Sequence, residues 1–342
     1  MQNPAASNYL SVRDDWLALR HEPVLEPALP IVDAHHHFYD RPGWRYLRDD
    51  YLADAGSGHA VQASVYMQAL TRYHRDGPDA LRPVGETAYV AAATAGDQDG
   101  ADGPCLAQAI VGHADLRLGD AVHAVLQAHL QAGQGRLRGI RHLTTWDADA
   151  TLANPLTAAP PGLLGDPRYR AGMAALAASG LSYDAWLFWP QLPELLAAAR
   201  ALPALTIVID HCGGVLRSGA HADRPAEVFD GWRRHMRALA QLPNVHVKLG
   251  GMGMRINGFG FEQAALPPSS TQLAAAWRPW IETCIEAFGP ARCMFESNFP
   301  VDKGSYAFAT GWNAFKRLTA HHSAGERRLL FADTARRVYR LG

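Results

Sequence analysis

The sequence predicts an α/β fold, a (β/α)8 TIM barrel, on three observations. Eight short apolar runs alternate with longer stretches whose apolar residues recur at helical spacing. That alternation calls for parallel strands joined through helical crossovers, and eight of them suit a closed barrel better than an open sheet. No Gly-x-Gly-x-x-Gly follows the first run, which argues against a dinucleotide-binding sheet.

In chain order, residues 1–29 are polar and proline-bearing and read as an N-terminal extension wrapped outside a barrel domain spanning 30–342. Strands are expected at 31–34, 61–67, 106–111, 137–141, 181–187, 205–210, 245–249 and 293–296. Helical spacing is clear over 121–132, 190–201, 226–242, 272–288, 306–319 and 325–341. The segments 68–104 and 143–167 follow strands, which puts both over the C-terminal mouth, where barrels make their substrate contacts. The second carries Pro155, Pro160, Pro161 and Pro167 and cannot be one helix.

Composition narrows the partners. With 48 % apolar and 19 % charged residues the chain easily supplies a large core. A net charge of −1, with no basic stripe, argues against nucleic acid or a membrane surface and for a small-molecule substrate. Homo-oligomers stay open. Cys105, Cys212, Cys284 and Cys293 show no Cys-x-x-Cys spacing and read as reduced thiols. Met1-Gln2-Asn3-Pro4 begins no basic-then-apolar leader, and no run approaches the ~18 apolar residues of a membrane span. A cytoplasmic protein is the expectation.

Reactive residue types gather at strand ends. In Asp33-Ala34-His35-His36-His37, residues two apart share a side of an extended chain, so His35 and His37 point together and His36 points away. Two imidazoles on one side make half of a zinc site, or hold an anionic substrate. His211 closes the sixth apolar run just before Gly213-Gly214, which let the backbone turn sharply. Arg141 and His142 end the fourth run, and one of them faces inward. Arg141 is suited to grip a carboxylate, and His142 to ligate or hydrogen-bond. The eighth run ends with Glu296, Asn298 and Asp302 near the mouth. Trp186, Phe188 and Trp189 could floor a substrate pocket, Trp189 being the chosen contact. Lys248 stands alone on the seventh run. A solvated, outward lysine is the first expectation there, an inward cation the second. Neither Gly-x-Ser-x-Gly nor His-Glu-x-x-His occurs, which leaves serine hydrolases and zincins without support.

Asp33-Ala34-His35-His36-His37-Phe38, Gly139-Ile140-Arg141-His142, Ile209-Asp210-His211-Cys212-Gly213 and Met294-Phe295-Glu296-Ser297-Asn298-Phe299-Pro300 resemble, in order, the motifs of the amidohydrolase-related (amidohydrolase 2) family. The nearest branch is that of pyrone-dicarboxylate and sugar lactonases. Thr334-Ala335-Arg336-Arg337-Val338-Tyr339 is similar to the family's final helix, so the resemblance spans about residues 31–342. It implies an amidohydrolase-like barrel that hydrolyses a carbon–oxygen ester or lactone bond. It implies His35, His37 and His211 as metal ligands for one divalent ion, zinc first, with His211 also catalytic. Metal-free activity is the alternative, because members of this branch differ in their need for metal.

The chain departs from the family at the eighth strand, with Asn298 where Asp is usual and Glu296 where Gly is usual. That Asp normally acts as base or ligand, so the base must be sought elsewhere. Asp302 is the first candidate and Glu296 the second. A lactone or ester hydrolase ranks first. A metal-dependent decarboxylase ranks second, because such relatives open with Glu-x-His. A non-catalytic binding barrel is the third reading.

Overall fold

The computed structural model describes residues 9–100, 103–154, 157 and 159–342. Eight parallel strands follow one another around a barrel: β1 Ile31–His36, β2 Val61–Met67, β3 Cys105–Gly112, β4 Leu137–Arg141, β5 Ser182–Ala185, β6 Ile207–Ile209, β7 Val245–Leu249 and β8 Cys293–Phe295. Each pairs in parallel with the next. Just past β8 the chain meets β1 again, where Asn298 N donates to His35 O at 2.9 Å and His37 N to Phe299 O at 2.8 Å. Closure therefore runs through the two motifs that carry the site.

The strands are buried on both faces, so they read as continuous apolar runs rather than alternating ones. β5 and β6 are shorter than the apolar runs that contain them, β5 mainly at its end and β6 mainly at its start, and backbone bonds between neighbouring runs continue past the strand ends. Trp186 O, for example, accepts from Thr144 N at 3.0 Å. β1 is longer than expected and includes His35 and His36.

Long helices lie at Val122–Ala132, Leu192–Ala201, Pro225–Ala240, Ser270–Phe288 and Phe308–Leu318, each within a stretch of helical spacing or a residue or two outside it. The final stretch is broken into Ala324–Arg328, a π turn at Leu329–Asp333, and Thr334–Tyr339. Helix Val84–Ala93 lies within the segment 68–104, helix Asp14–Leu17 within the extension, and three further elements go beyond the pattern. Helix Arg48–Ala55 buries only Tyr51 and Ala55 and so shows little periodicity. A small hairpin pairs Tyr39–Arg41 with Trp44–Tyr46. Helix Pro167–Ala178 starts on the proline that reads as a loop residue in sequence. Pro167 lacks only a donor that is orphaned at that position anyway, and Asp166 caps the turn at 2.8 Å to Arg168 N. Pro155 lies outside the described residues.

From Tyr9 onward, the N-terminal extension packs along the outside of the barrel. Trp16 Nε1 donates to Ala264 O at 3.0 Å, and Leu25 N to Asn313 Oδ1 at 2.8 Å. At its start, Tyr9 joins Trp186, Phe188, Met254 and Ile256 around a cavity of about 30 Å3. Among the described residues, no helix is long and apolar enough to cross a membrane.

Candidate active site

Alternation along β1 sends His35 and His37 to one side, and their Nε2 atoms stand 3.1 Å apart. His36 faces away, stacked on Tyr51 at 4.1 Å with Ser64 Oγ 3.0 Å from its Nε2. Asp33 ties β1 to the end of β8. It accepts from Ser297 N at 2.8 Å, Ser297 Oγ at 2.6 Å and Tyr51 OH at 2.8 Å. Burial raises its pKa to about 6 even against these donors.

His211 and Glu296 form the second half of the centre. His211 and Cys212 both sit at positive φ, 54° and 51°, as does Asn298 at 54°. Non-glycine residues held there carry strain, which clusters at functional sites. Glu296 Oε1 lies 2.7 Å from His211 Nδ1 and accepts from His211 N at 3.1 Å, while Oε2 lies 2.9 Å from His35 Nδ1. Burial pushes the Glu296 carboxyl up in pKa, but His211 and His35 outweigh it and hold it at about 2, ionised. The backbone after β7 leaves room for this pair. A β-carbon on Gly251 would lie 2.2 Å from His211 Nδ1, and one on Gly250 would lie 2.4 Å from Glu296 Cγ.

These partners set the tautomers. An ionised carboxylate only accepts, so His35 and His211 carry their protons on Nδ1. His37 Nδ1 faces Met67 O at 2.9 Å, which again requires a proton there. All three Nε2 atoms therefore present lone pairs. Burial first, then the charges of Lys248 for His35 and Arg141 for His37, keeps those two rings neutral. Two lone pairs 3.1 Å apart repel unless a cation or donor lies between them. His35, His211 and Glu296 also bring donor atoms within 4.8 Å of one another. Among the described residues, His35, His211 and Glu296 are the group that converges closely enough for one divalent ion, and His37 touches that group only through the 3.1 Å contact of its Nε2 with His35.

The barrel floor overturns the outward reading of Lys248. Its side chain is fully buried, with Nζ 2.9 Å from both Asp184 Oδ1 and Asp210 Oδ1. Nζ also lies 3.3 Å from His35 Nδ1. Tyr339 OH donates to the same Asp184 oxygen, and Ser182 Oγ donates to the other at 2.9 Å. Burial alone would lower the lysine pKa, but the two aspartates raise it. Asp184 and Asp210 are site residues that sequence reading passed over. The available signal is a carboxylate inside an apolar strand run.

Arg141 is the inward member of its pair. Nη1 is 3.2 Å from His35 Nε2, Nη2 donates to Gln68 O, and Asp210 Oδ2 is 3.6 Å away. Both Nη atoms are thus engaged within the protein, while the buried Nε has no partner. His142 turns aside, accepting from Leu116 N at 3.2 Å on Nδ1, with its ring 5.2 Å from that of Tyr169. Trp186 packs on His211 with ring centroids 4.6 Å apart, and it lines the small cavity with Phe188. Trp189 does not line that cavity; its ring is 6.0 Å from that of His221.

Asp302 is buried and accepts three bonds: from Tyr306 OH at 2.6 Å, Gly253 N at 2.9 Å and Asn298 Nδ2 at 2.9 Å. Burial raises its pKa to about 6 in spite of them. The structure thus brings His35, His37, Arg141, His211 and Glu296 to one centre, with Asn298 and Asp302 linked beside it.

A family model described as Amidohydrolase matches residues 32–341. The chain belongs to the amidohydrolase family. A Sinorhizobium fredii protein, uncharacterised protein y4mH, is 36 % identical over 298 residues, 86 % of each chain. The L-fucono-1,5-lactonase of Burkholderia multivorans is 29 % identical over 91 % of this chain and 96 % of its own. A crystal structure of a Burkholderia multivorans amidohydrolase with bound zinc superposes with a TM-score of 0.70. It is 26 % identical, over 91 % of this chain and 99 % of that one. This amidohydrolase thus has the barrel expected of the family and a donor set fit for an ion.

The buried imidazoles set an acid limit on this amidohydrolase's stability. His35, His36, His37, His59, His113, His129, His142 and His246 all have pKa values lowered by burial. A depressed histidine gives stability that is present above the unfolded value of about 6.5 and lost below it. Asp33 and Asp302, raised to about 6, Glu86, raised to about 7, and Asp54, Asp184 and Glu194, also raised by burial, act oppositely. With His235 also lowered, nine imidazoles stand against six carboxyls, and the imidazoles take up their protons in the unfolded chain within the pH 7.5–5.5 window. The melting temperature should fall by several degrees from pH 7.5 to pH 5.5. A flat or rising profile on acidification in differential scanning calorimetry would refute this.

Proposed function

We propose that the protein hydrolyses a small lactone or related ester, carboxylate-bearing or sugar-derived, by attack of an activated water at the barrel mouth. One observation carries the reading: Glu296 holds the Nδ1 of both His35 and His211, leaving their Nε2 atoms as acceptors. An imidazole so held is a general base with its orienting carboxylate. In this reading His211 takes a proton from water as the oxygen bonds to the carbonyl carbon. Glu296 stabilises the imidazolium that forms. When the ring carbon–oxygen bond breaks, His211 returns the proton to the leaving oxygen, giving a hydroxy acid. Arg141, whose Nε has no protein partner, donates from that nitrogen toward the carbonyl oxygen.

A divalent ion held at His35, zinc first, would add polarisation of that carbonyl. Asp302 is reassigned here from base to holder of Asn298, because three donors already occupy its carboxylate. The likeness to an L-fucono-1,5-lactonase supports the lactone class.

The test is acid release from a panel of lactones, followed by pH indicator before and after chelation and zinc addition. Production of one acid per lactone consumed is the expected result. Binding of lactones without turnover would instead favour a binding barrel, and carbon dioxide release from aromatic acids a decarboxylase.

Metal binding has its own prediction. Arg141 Nη1 donates into the lone pair of His35 that an ion would use. A like charge at ~4 Å costs roughly 4 kcal/mol at an effective dielectric of 20. Arg141→Gln should therefore bind zinc at least ~10-fold more tightly in a chelator-competition titration. Unchanged or weaker affinity would mean that the guanidinium and the ion do not compete.

A further inference from the structure

The hydrolytic centre is sealed. His35, His37, Arg141, His211 and Glu296 are each at most 4 % exposed. The cavity against Trp186, the ring packed on His211, measures about 30 Å3, room for about one or two waters. Small-molecule sites take roughly 300–1,000 Å3. A second cavity, of about 580 Å3, lies further out, with Trp44, Arg45, Tyr46, Arg255 and Lys303 in its walls. Tyr9 lines both cavities. Its ring meets Trp44 edge-on at 5.1 Å, Trp44 stacks on Tyr39 at 4.3 Å, and Tyr39 lies 5.5 Å from His37. Tyr9 also hydrogen-bonds Asn154, another wall of the inner cavity. It therefore spans the gap between the His37 side of the mouth and the His211 side.

The other walls of the inner cavity are pinned to the barrel. Trp186 O accepts from Thr144 N at 3.0 Å and Thr144 Oγ1 at 3.2 Å, and Phe188 N donates to Gln191 Oε1 at 3.1 Å. Met254 O accepts from Asn257 N at 3.0 Å, and Ile256 O from Arg217 N at 2.9 Å. Tyr9 comes instead from the N-terminal extension, which is fixed further along. Leu10 packs on the loop after β8, where a β-carbon on Gly304 would lie 2.4 Å from Leu10 Cβ, and Arg13 Nη2 donates to Glu262 O at 2.6 Å. We propose that Tyr9 is the gate of the active site: its ring closes the inner cavity, and substrate enters from the outer one when that ring swings out about Leu10. Such a gate governs entry to the centre whatever bond is cleaved there, and so goes beyond the hydrolase reading. Closed, the ring keeps bulk water off the imidazoles and confines what has entered. Open, it joins the two cavities into one space of the size a small ligand needs.

Diethyl pyrocarbonate, which labels unprotonated imidazole nitrogens, tests the gate on the full-length protein without any substrate. Labelling rates are followed by peptide mass spectrometry at neutral pH in the wild type, Tyr9→Ala and Tyr9→Phe, with melting temperatures measured alongside. His37 and His211 report on the centre and exposed His123 on the reagent. Buried His129, on helix Val122–Ala132, reports on general loosening. A gate that stands open in a minor state of about 0.1–10 % leaves the centre slow to label. Tyr9→Ala should therefore raise the rates at His37 and His211 by at least ~10-fold and leave those at His123 and His129 as they were. Tyr9→Phe keeps the ring and should stay within a fewfold of the wild type. Unchanged rates at His37 and His211 in Tyr9→Ala would overturn the gate. So would a rise shared by His129, or a Tyr9→Phe protein as reactive as Tyr9→Ala. Should no lactone be turned over, the hydrolase reading fails separately, and the labelling still decides for or against the gate.

Discussion

His211→Ala should lose about 100- to 10,000-fold in kcat on the best lactone while the protein stays folded. His211 lies past the end of β6, and its bonds to Glu296 join groups at the mouth rather than in the apolar layers. The core and the reactive face are separate in this architecture, so a mouth residue can be removed without collapse. Asp302→Asn and Glu296→Gln should be measured beside it. Glu296→Gln removes the acceptor that fixes two tautomers, and its loss should approach that of His211→Ala. Asp302→Asn should fall less. Were Asp302→Asn to abolish turnover while His211→Ala stayed within a fewfold of wild type, Asp302 would be the base and the assignment to His211 would be wrong.

Lys248→Met should destabilise the protein by about 3–5 kcal/mol, because it strips the partner from two buried carboxylates. Nζ is 2.9 Å from both Asp184 and Asp210, and all three side chains are fully buried. Replacing a whole buried ion group by apolar residues can be neutral, but removing one member leaves charge in a medium that solvates it poorly. At roughly 2–4 °C per kcal/mol for a large domain, a fall of about 10 °C in melting temperature is expected. Adding Asp210→Asn to Lys248→Met should recover part of it, since one stranded charge is removed. A single variant that melts within 2 °C of wild type, on the order of 1 kcal/mol or less, would show that the ammonium does not neutralise the floor.

Much of this protein can be read from its sequence, because the signals are local. Eight apolar runs in alternation with helices are enough for a (β/α)8 barrel. The two-residue period of a strand is enough to pair His35 with His37 and turn His36 away, since neighbours on an extended chain share no face. The order of motifs along the chain marks His211 and the end of β8. The helix at Pro167–Ala178 and the small hairpin escape for an equally local reason: a proline at a helix start and two three-residue strands carry little periodicity.

What stands opposite what was decided only by closure of the barrel. Lys248 on β7 reads as a solvated lysine until β5 and the end of β6 bring Asp184 and Asp210 to it, the first 64 residues away in sequence. Glu296 reads as an oddity in a motif until the chain past β8 lays it between His35 and His211, the latter 85 residues distant. Strands covered on both faces carry no alternation to say which side chains point into the barrel. Inward and outward are fixed by the tilt and closure of all eight strands together, so the charges that neutralise one another inside are settled by the tertiary structure alone.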